Sequence, residues 1–315
     1  MDADTLCSIM RIAVIANPVA GRGRARALAG SVRAALEAAG HVVAFAWTQK
    51  PGHAIELARQ AKDRCDVVCA VGGDGTVHDV ANGLLPDPLP LVLVPCGSGN
   101  DFSRLVGCPR TPGELMAVLD SGTGVRLDVV DCGLRYSVNS CGVGFEAQVA
   151  KHSRDMRRVG GLSLYLLAVA KALREYTCPR LTIALPGGET FTGPRLLVSI
   201  GNGVSAGGGF RLTPNAVPDD GLADVCIVQS MSRAKMVRLL PYALTGAHTR
   251  LAAVAMRRAP EFSIRSDDPL PLHADGEYLG DDHRNLTFVV VSRRLPVLCR
   301  EDAPVRTGQA VQRLL

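Results

Sequence analysis

Three glycine-rich segments, each directly after a short apolar run, are the residues of this chain best suited to chemistry. They are residues 17–21, 72–76 and 97–101. Glycine lets a backbone approach a phosphate closely, and the first turn of a helix presents free N–H groups to an anion. Two segments also carry an aspartate, and Mg²⁺ prefers carboxylate, phosphate and water oxygens. They predict a nucleotide site with a divalent cation; tight turns without a ligand are the alternative.

Other residue patterns narrow the chemistry. Neither GxxxxGK[ST] nor an intact GxGxxG after a strand occurs, so the nucleotide site is not of the Walker or dinucleotide type. Asp74 and Asp101 also stand where helix N-caps would, a role compatible with holding a cation. His78 follows on the same helix as Asp74, and we expect a surface or subsite residue there rather than a catalyst.

A second candidate for chemistry is the turn 275–277, Asp-Gly-Glu. Phosphoryl transfer to a hydroxyl needs a carboxylate that accepts or orients the proton of that hydroxyl. An ordinary Asp-Gly hairpin turn with a solvated glutamate has the same sequence, so this alternative stays open on the residues alone.

The elements that position the three glycine-rich segments alternate between strand and helix. Apolar runs at 11–16, 41–47, 67–71 and 91–95 predict strands, and helical spacing covers 21–39, 53–62 and 77–84. This order predicts an α/β domain with a Rossmann-like parallel sheet. In such a sheet, the turns at the carboxyl ends of the strands lie together and bind ligands.

The pattern changes near residue 126. Short β-like runs follow at 127–131, 136–141, 181–185, 195–200, 223–228, 261–265, 270–274 and 286–291, with helices predicted at about 160–176 and 232–249. We therefore predict a nucleotide-binding domain at 1–127 and a mainly antiparallel β-sandwich acceptor domain at 128–292, with 293–315 packing back on the first domain. Residues 1–9 are expected to be a loose extension before Met10.

The charge is unevenly distributed. Residues 1–127 hold 12 basic and 12 acidic residues, so the formal net charge of +5 belongs to the rest of the chain, concentrated at 151–180 and 233–258. This asymmetry favours an anionic partner surface; solvated arginine-rich helix faces are the alternative. Only 4% of the residues are aromatic, which argues against stacking on single-stranded nucleic acid. We expect no nucleic-acid partner.

The ten cysteines show no CxxC or zinc spacing, and the acid-bearing N-terminus does not resemble a signal peptide. We expect mostly buried free thiols in a reducing cytoplasm. The longest membrane-like run, 162–170, is too short to cross a bilayer.

Six segments, taken together, resemble the diacylglycerol kinase catalytic-domain family and specifically its soluble bacterial lipid kinases. That family is related in its first domain to NAD kinases and phosphofructokinases. The segments are NPVAGRGRA (17–25), VGGDGTVHDVANGL (71–84), VPCGSGNDFSR (94–104), VNSCGVGFEAQVA (138–150), GGGFRLTPNAVPDDGLADV (207–225) and HADGEYL (273–279). They occur in family order over nearly the whole chain. The DDG loop and the DGE turn point to the lipid-kinase branch, which GGDGT alone does not separate from NAD kinases.

The resemblance implies roles for individual positions. The ATP site would be lined by Asn17, Pro18, Val19, Ala20, Gly21, Arg22, Thr48, Gly73, Asp74, Gly75, Thr76, Val77, His78, Asp79 and Ser98. Asp74, Asp101 and Asp128 would organise a catalytic Mg²⁺, largely through water. A structural Mg²⁺ would be held by the Val217 and Leu222 carbonyls and the Asp220 carboxylate. Glu277 would be the general base, with Asp275 nearby.

The resemblance also implies ATP-dependent phosphorylation of a lipid alcohol, diacylglycerol giving phosphatidic acid, by an enzyme attached peripherally to anionic membranes from the cytoplasm. A sphingoid base or ceramide as acceptor, an NAD kinase and a non-catalytic nucleotide-binding regulator remain alternatives. A homodimer is left open. The chain departs from many members in having His78-Asp79 where they have Asn-Glu, and Ser98 where they have Thr.

Overall fold

The structure is a computed structural model that describes residues 9–155, 162–301 and 312–315. Parts of four predicted segments lie outside the described residues. They are the N-terminal extension before residue 9, the first two residues of the predicted helix 160–176, Arg157 and Arg158 of the basic stretch 151–180, and part of the C-terminal segment 293–315.

The first part of the chain alternates strands and helices, as its apolar runs predict. Its elements are β1 (Arg11–Ala16), α1 (Arg24–Ala38), β2 (Val42–Trp47), α2 (His53–Ala61), β3 (Val67–Gly72), α3 (Asp74–Leu84) and β4 (Leu91–Pro95). The strands are parallel in the order β4–β3–β1–β2. One apolar cluster lies on each face of the sheet, because helices cover both faces and the central strands must be apolar throughout. The Rossmann-like parallel sheet is confirmed.

Some helix boundaries differ from the predictions. The helix predicted from residue 21 begins at Arg24, because Gly21, Arg22 and Gly23 adopt positive φ angles of 59°, 59° and 89°. The next two helices, α4 (Asp101–Val106) and α5 (Pro112–Ser121), were not predicted. A signal for α5 was present, since the Thr111 hydroxyl accepts the Glu114 N–H at 3.1 Å and proline follows the cap.

The second part is dominated by antiparallel strands. They are β5 (Thr123–Asp131), β6 (Tyr136–Ser137), β7 (Ser140–Gly144), β8 (Arg180–Ala184), β9 (Thr190–Gly201), β10 (Ala223–Gln229), β11 (Val254–Ala259), β12 (Glu261–Leu270), β13 (Leu272–Ala274), β14 (Glu277–Tyr278), β15 (His283–Leu298) and β16 (Gln312–Arg313). The long strand β9 pairs with β8 through its first half and with β7 and β10 through its second half. Side chains such as Val198, Ile264 and Phe288 pack between the two layers. The predicted mainly antiparallel β-rich fold is confirmed.

Three helices cover the outer side of β9 and β10. They are α6 (Phe145–Asp155), which was not predicted, α7 (Leu162–Glu175) and α8 (Arg233–Thr245). Their contact with the sheet is a separate apolar cluster that includes Phe145, Val149, Leu197 and Met236. Because side chains alternate along a strand, Leu197 faces this cluster while its neighbour Val198 faces the sandwich core.

Strand β15 joins the two sheets. Its first half is antiparallel to β12, and Val297 and Leu298 pair in parallel with β4. The boundary placed at residue 127 falls within β5, which pairs with β15 from Gly124 to Asp131. The division of the chain into domains stays a prediction.

No helix within the three described ranges is both long and apolar enough to span a bilayer. Nine cysteines lie in those ranges, all as free thiols and all buried except the half-buried Cys178. The prediction of mostly buried free thiols is confirmed.

Candidate active site

The three glycine-rich segments meet at the carboxyl ends of β1, β3 and β4. The Asn17 amide donates to Thr76 Oγ1 at 3.3 Å, which joins the first segment to the second. A methyl group on Gly97 would lie 2.6 Å from the Gly73 Cα, and one on Gly21 would lie 2.1 Å from the Cys96 carbonyl oxygen. Only glycine permits these approaches, so the glycines are required by the way the three turns pack.

The other positions predicted for the ATP site gather around these turns. Thr48 lies beside the first segment, since its N–H donates to the Ala16 carbonyl at 2.9 Å. The N–H groups of Thr76 and Val77 donate to the Gly73 carbonyl and begin α3. The Val77 side chain is buried in the core, whereas Ser98 is exposed on the third segment. Phosphate-binding roles for these residues stay predictions.

Asp74 and Asp101 are brought together. A methyl group on Gly99 would lie 2.7 Å from Asp74 Oδ2 and 3.6 Å from Asp101 Oδ2. Burial, and then the charge of Asp101, raise the pKa of Asp74 to about 6. Neither aspartate is the predicted N-cap of its own helix, because Gly73 and Asn100 occupy the cap positions. Instead, the Asp74 carboxylate accepts the Phe102 N–H at 3.2 Å, in the first turn of α4.

This pair of carboxylates fits a divalent cation. Two acids held close together repel each other when ionised. Arg104, which pairs with Asp101 at 2.5 Å, offsets part of that repulsion, and a bound cation would relieve the rest. Asp101 is oriented by the Ser205 hydroxyl at 2.9 Å and the Gly208 N–H at 2.7 Å, which come from the second part of the chain. In the part of the chain that the structure describes, no three His, Cys, Asp or Glu side chains converge as metal ligands. Any further ligands would therefore be water or phosphate oxygens.

Asp128 is held by a loop of the second part of the chain and by β15. Its buried carboxylate accepts the Gly221 N–H at 2.7 Å and the Arg293 N–H at 2.6 Å, so it ties the loop 217–222 to β15. Burial raises its pKa, with a smaller contribution from the charges of Asp220 and Asp219. A role for Asp128 in the catalytic cation site stays a prediction.

The predicted structural cation fits its loop less well. The Asp220 carboxylate already forms an ion pair with Arg258, whose guanidinium also lies 3.4 Å from Asp224. A cation bound by Asp220 with the Val217 and Leu222 carbonyls would have to displace that guanidinium. Burial raises the pKa of Asp224 to about 6 even beside Arg258. We therefore assign no step to a cation at this loop.

Asp275 is the anchor of the turn between β13 and β14. Asp275 and Gly276 adopt φ angles of 51° and 82°, the left-handed values of a tight hairpin turn. The buried Asp275 carboxylate accepts five hydrogen bonds, from His78 Nδ1, the Ser137 hydroxyl and the N–H groups of residues 138–140, all at 2.8–3.0 Å. Burial alone would raise the pKa of Asp275, but the bond and charge of His78 and the backbone donors lower it overall.

Glu277 reaches across to the second glycine-rich segment. A methyl group on Gly75 would lie 2.7 Å from Glu277 Oε1, so the carboxylate lies against the backbone at the start of α3. The turn 275–277 is separated from Gly75 by about two hundred positions in the chain, yet its glutamate faces the predicted phosphate site. This is the position that a base acting on an acceptor hydroxyl needs.

The sequence predicted a surface or subsite residue at His78, and the structure contradicts the surface position. His78 is 2% exposed, and its Nδ1 lies 2.8 Å from Asp275 Oδ2. A surface position was wrong because the prediction considered only the helix that carries His78, and the segment that covers this face of α3 comes from the second part of the chain; a role at a nucleotide subsite stays a prediction. No spacing signal links residues 78 and 275.

An apolar cavity lies between α6, α7, α8 and the outer side of β9 and β10. Its walls include Val149, Leu173, Leu197, Met236 and Leu240. Glu146 reaches its lining, and this carboxylate bonds His273, on β13, at 2.8 Å. The cavity therefore adjoins the hairpin that carries the turn 275–277. The sequence did not reveal it, because α6 was not recognised.

Glycine-rich turns on an α/β sheet, with a carboxylate brought to them by a β-rich region, are the arrangement expected of a phosphotransferase. Two family models match the chain: the diacylglycerol kinase catalytic domain over residues 11–132, and the YegS C-terminal NAD kinase beta sandwich-like domain over residues 139–299. The chain belongs to the diacylglycerol kinase-like lipid kinase family, and it is a lipid kinase.

Individual relatives agree with this family. A protein named "Probable lipid kinase YegS-like" from Pseudomonas fluorescens is 33% identical over 290 residues, which cover 90% of this chain and 95% of that protein. A diacylglycerol kinase of Staphylococcus aureus strain MRSA252 is 29% identical over 299 residues, 93% of either chain.

Two solved structures share the fold. A diacylglycerol kinase from Bacillus anthracis matches with a TM-score of 0.70 at 20% identity, over 94% of this chain and 99% of the other. Yeast NADH kinase in complex with NADH matches with a TM-score of 0.51 at 12% identity, over 95% of this chain and 86% of the other. At these identities the likeness concerns the fold alone.

Proposed function

We propose that the protein transfers the γ-phosphoryl group of ATP to the hydroxyl of a lipid alcohol, with diacylglycerol as acceptor and phosphatidic acid as product. The observation that carries the proposal is the approach of Glu277 to Gly75. A proton acceptor and a phosphate-binding backbone then share one cleft, and transfer requires the two substrates to be held in line there.

On this proposal, ATP binds at the three glycine-rich segments with Thr48 beside them. The N–H groups at the start of α3, an eleven-residue helix, face the phosphates. Mg²⁺ held by Asp74 and Asp101 would stabilise the charge of the transferring phosphoryl group. Arg22, on the first segment, is proposed to bind phosphate through its planar guanidinium.

Glu277 is the general base of the proposed reaction. Its carboxylate takes the proton of the acceptor hydroxyl as the oxygen bonds to the γ-phosphorus. The bond from that phosphorus to the β–γ bridging oxygen breaks, and ADP leaves. Asp275 is unsuited to this role, because its oxygens already accept five hydrogen bonds. It holds the turn on which Glu277 stands.

The apolar cavity supports a lipid acceptor. Its lining is hydrophobic apart from a few polar groups, the lining expected for acyl chains rather than for a nucleoside. The cavity lies in the part of the chain that we assign to the acceptor, residues 128–292, and next to the hairpin that carries Glu277.

The outer faces of α7 and α8 support peripheral attachment to an anionic membrane. Leu167, Val237, Tyr242 and Leu244 are large hydrophobic residues exposed there, at 45–54% of their surface. Lys235 and Arg238 are exposed on α8 among them. Each basic side chain near an anionic bilayer contributes about 1 kcal/mol, so a few give reversible attachment. Lipids would then reach the cavity beneath the same helices.

A transfer assay with radiolabelled ATP tests the proposed function. The wild-type protein and Glu277→Gln are incubated with Mg²⁺ and, separately, with diacylglycerol, ceramide or a sphingoid base in mixed micelles, or with NAD in buffer, and the products are separated by chromatography. We expect labelled phosphatidic acid from the wild type and almost none from the variant.

Each alternative has its own outcome in this assay. If the main labelled product is ceramide phosphate or a sphingoid phosphate, the acceptor is ceramide or a sphingoid base and not diacylglycerol. Labelled NADP without any labelled lipid identifies an NAD kinase. ATP binding without transfer to any acceptor overturns the catalytic proposal in favour of a nucleotide-binding regulator.

A further inference from the structure

His78 lies between the glycine-rich segment 72–76 and the β13–β14 hairpin that carries the turn 275–277. It lies on α3, one turn beyond Asp74, and its imidazole points away from solvent toward Asp275. Both side chains of this pair are 2% exposed. The Nδ1–Oδ2 distance of 2.8 Å is that of a strong, charge-assisted hydrogen bond.

The five donors to Asp275 divide between the two parts of the chain. Four of them belong to residues 137–140, which are close neighbours of the hairpin in the same β-rich region. The fifth is His78, the contribution of the nucleotide-binding part. The His78 bond therefore joins the helix that starts at the phosphate site to the turn that carries Glu277.

The direction of this hydrogen bond is settled by the partners. An ionised carboxylate only accepts, so Nδ1 of His78 carries the proton. Burial alone would lower the pKa of His78, but the bond and charge of Asp275 raise it overall, helped by the charges of Asp79 and Glu277. These are the charged groups that act on the imidazole from α3 and from the hairpin.

A second contact shows that α3 docks on the β-rich part through one face. Asn82 lies one turn after His78, where its amide donates to the Tyr136 carbonyl at 2.8 Å and accepts the Tyr136 N–H at 2.9 Å. Residues four apart lie on one side of a helix. Asn82 thus secures the same interface without touching the turn 275–277. Its amide also donates to the His78 carbonyl at 2.9 Å, so Asn82→Ala controls for the loss of helix docking and leaves the His78 ring in place.

We propose that His78 is a positioning residue for the transfer reaction: by donating Nδ1–H to Asp275, it holds the turn 275–277 at the separation from the glycine-rich segment at which Glu277 meets the acceptor hydroxyl. The inference rests on the proposed function, and it adds a residue that contacts neither nucleotide nor acceptor through its ring. Loss of the bond lowers kcat, because Glu277 is displaced, and leaves ATP binding nearly unchanged.

Two amide variants test the bond. The Nδ2 of asparagine can occupy the place of histidine Nδ1, whereas a glutamine carries its amide farther out, near the place of Nε2. We expect His78→Gln to lower kcat at least tenfold with KM for ATP changed less than threefold, and His78→Asn to recover kcat to within about threefold of wild type, since misplacing a reacting group by about 1 Å costs up to 10²-fold.

Asn82→Ala supplies the structural control. We expect it to lower the melting temperature at least as much as His78→Gln while lowering kcat less than threefold. If His78→Gln keeps wild-type kcat, or if Asn82→Ala loses kcat to the same extent, His78 has no positioning role beyond the stability of the interface.

A measurement without turnover keeps this inference separate from the proposed function. Nitrogen-15 NMR of the histidine rings in the wild type, with His78→Asn used for assignment, reports the proton on Nδ1 and its pKa. We expect a protonated Nδ1 and a pKa above that of an ordinary histidine. A His78 ring that titrates like a solvated histidine overturns the inference whatever the transfer assay shows. Absence of transfer in the wild type overturns the proposed function and with it the positioning role, while the His78–Asp275 bond seen by NMR stands.

Discussion

The approach of the Glu277 carboxylate to Gly75 leads to a prediction in which kcat falls while the stability of the fold does not. In Gly75→Ala, the added methyl would lie 2.7 Å from Glu277 Oε1, and an ordinary contact begins at 3.4 Å. The carboxylate must therefore retreat by about 0.7 Å, and misplacement of a reacting group by about 1 Å costs up to 10²-fold. We expect kcat to fall about 10- to 100-fold, equivalent to about 1.4–2.7 kcal/mol in the activation free energy.

The free energy of unfolding of Gly75→Ala is expected to rise or to stay unchanged, although kcat falls. Gly75 lies within α3 without a positive φ, and a glycine-to-alanine change at such a position stabilises by about 0.4–1 kcal/mol. The clashing atom is the end of a flexible side chain, so the fold need not shift. Gly30→Ala is the matched control, because Gly30 lies in α1 with nothing near its would-be Cβ. It should gain similar stability and keep wild-type kcat.

The assay combines steady-state kinetics, calorimetric melting and ATP affinity by titration calorimetry. The same Gly75→Ala change is then made in the Glu277→Gln background, where no base remains to be displaced. We expect little further loss of rate there, because two changes that act on one group are not additive. Wild-type kcat in Gly75→Ala refutes the placement of Glu277, and a full additional loss in the double variant shows that the methyl disturbs nucleotide binding instead.

Three further predictions concern the base, the cation pair and the membrane face. Glu277→Gln should lower kcat by about 10²–10⁴-fold while the affinity for ATP in titration calorimetry stays within threefold of wild type; substantial residual turnover contradicts the role of base. Asp74→Asn should abolish Mg²⁺-dependent transfer yet stabilise the metal-free protein by about 1–3 kcal/mol at pH 7. Burial and the charge of Asp101 raise the pKa of Asp74 to about 6, so ionised Asp74 destabilises the folded state above pH 6, and this destabilisation disappears as the pH falls toward 3.8. Denaturant unfolding of the wild type and the variant at pH 7.5 and pH 4 measures the difference in stability. An equal difference at both pH values contradicts the prediction. Lys235→Glu with Arg238→Glu should weaken sedimentation with anionic vesicles at low salt by at least tenfold, since about 1 kcal/mol is lost per basic charge, and unchanged micellar activity serves as the control.

The parallel sheet and its glycine-rich turns were predictable from the sequence for a local reason. Buried parallel strands such as β3 are continuous apolar runs, and each is followed by a turn whose glycines are visible in the sequence. The edges of elements were less predictable. The helix α3 begins at Asp74 rather than at residue 77, because Gly73 and not an apolar residue provides its cap. The strand β9 is twice as long as the apolar run within it, since half of it lies at the surface and pairs through its backbone.

The site was predictable only in part. The three segments and the turn 275–277 carry distinctive residue types, so they could be singled out in advance. The burial of His78 could not, because the residues that cover it are distant in the chain. The contact of Asp128 with the Gly221 N–H is likewise a tertiary result, because the loop that carries Gly221 is distant in the chain. The apolar cavity needed three helices to be placed over one sheet.

What the sequence by itself determined is the chemistry available to this lipid kinase: backbone donors beside glycines, carboxylates that suit a cation, and one glutamate on a tight turn. Such features depend on residue type and local geometry, which neighbouring residues specify. Only the tertiary structure decided which groups meet. It placed Glu277 against Gly75 and His78 against Asp275, because the helix α3 and the β13–β14 hairpin bury their facing sides on each other. Burial between distant segments sets those contacts, and no local pattern encodes them.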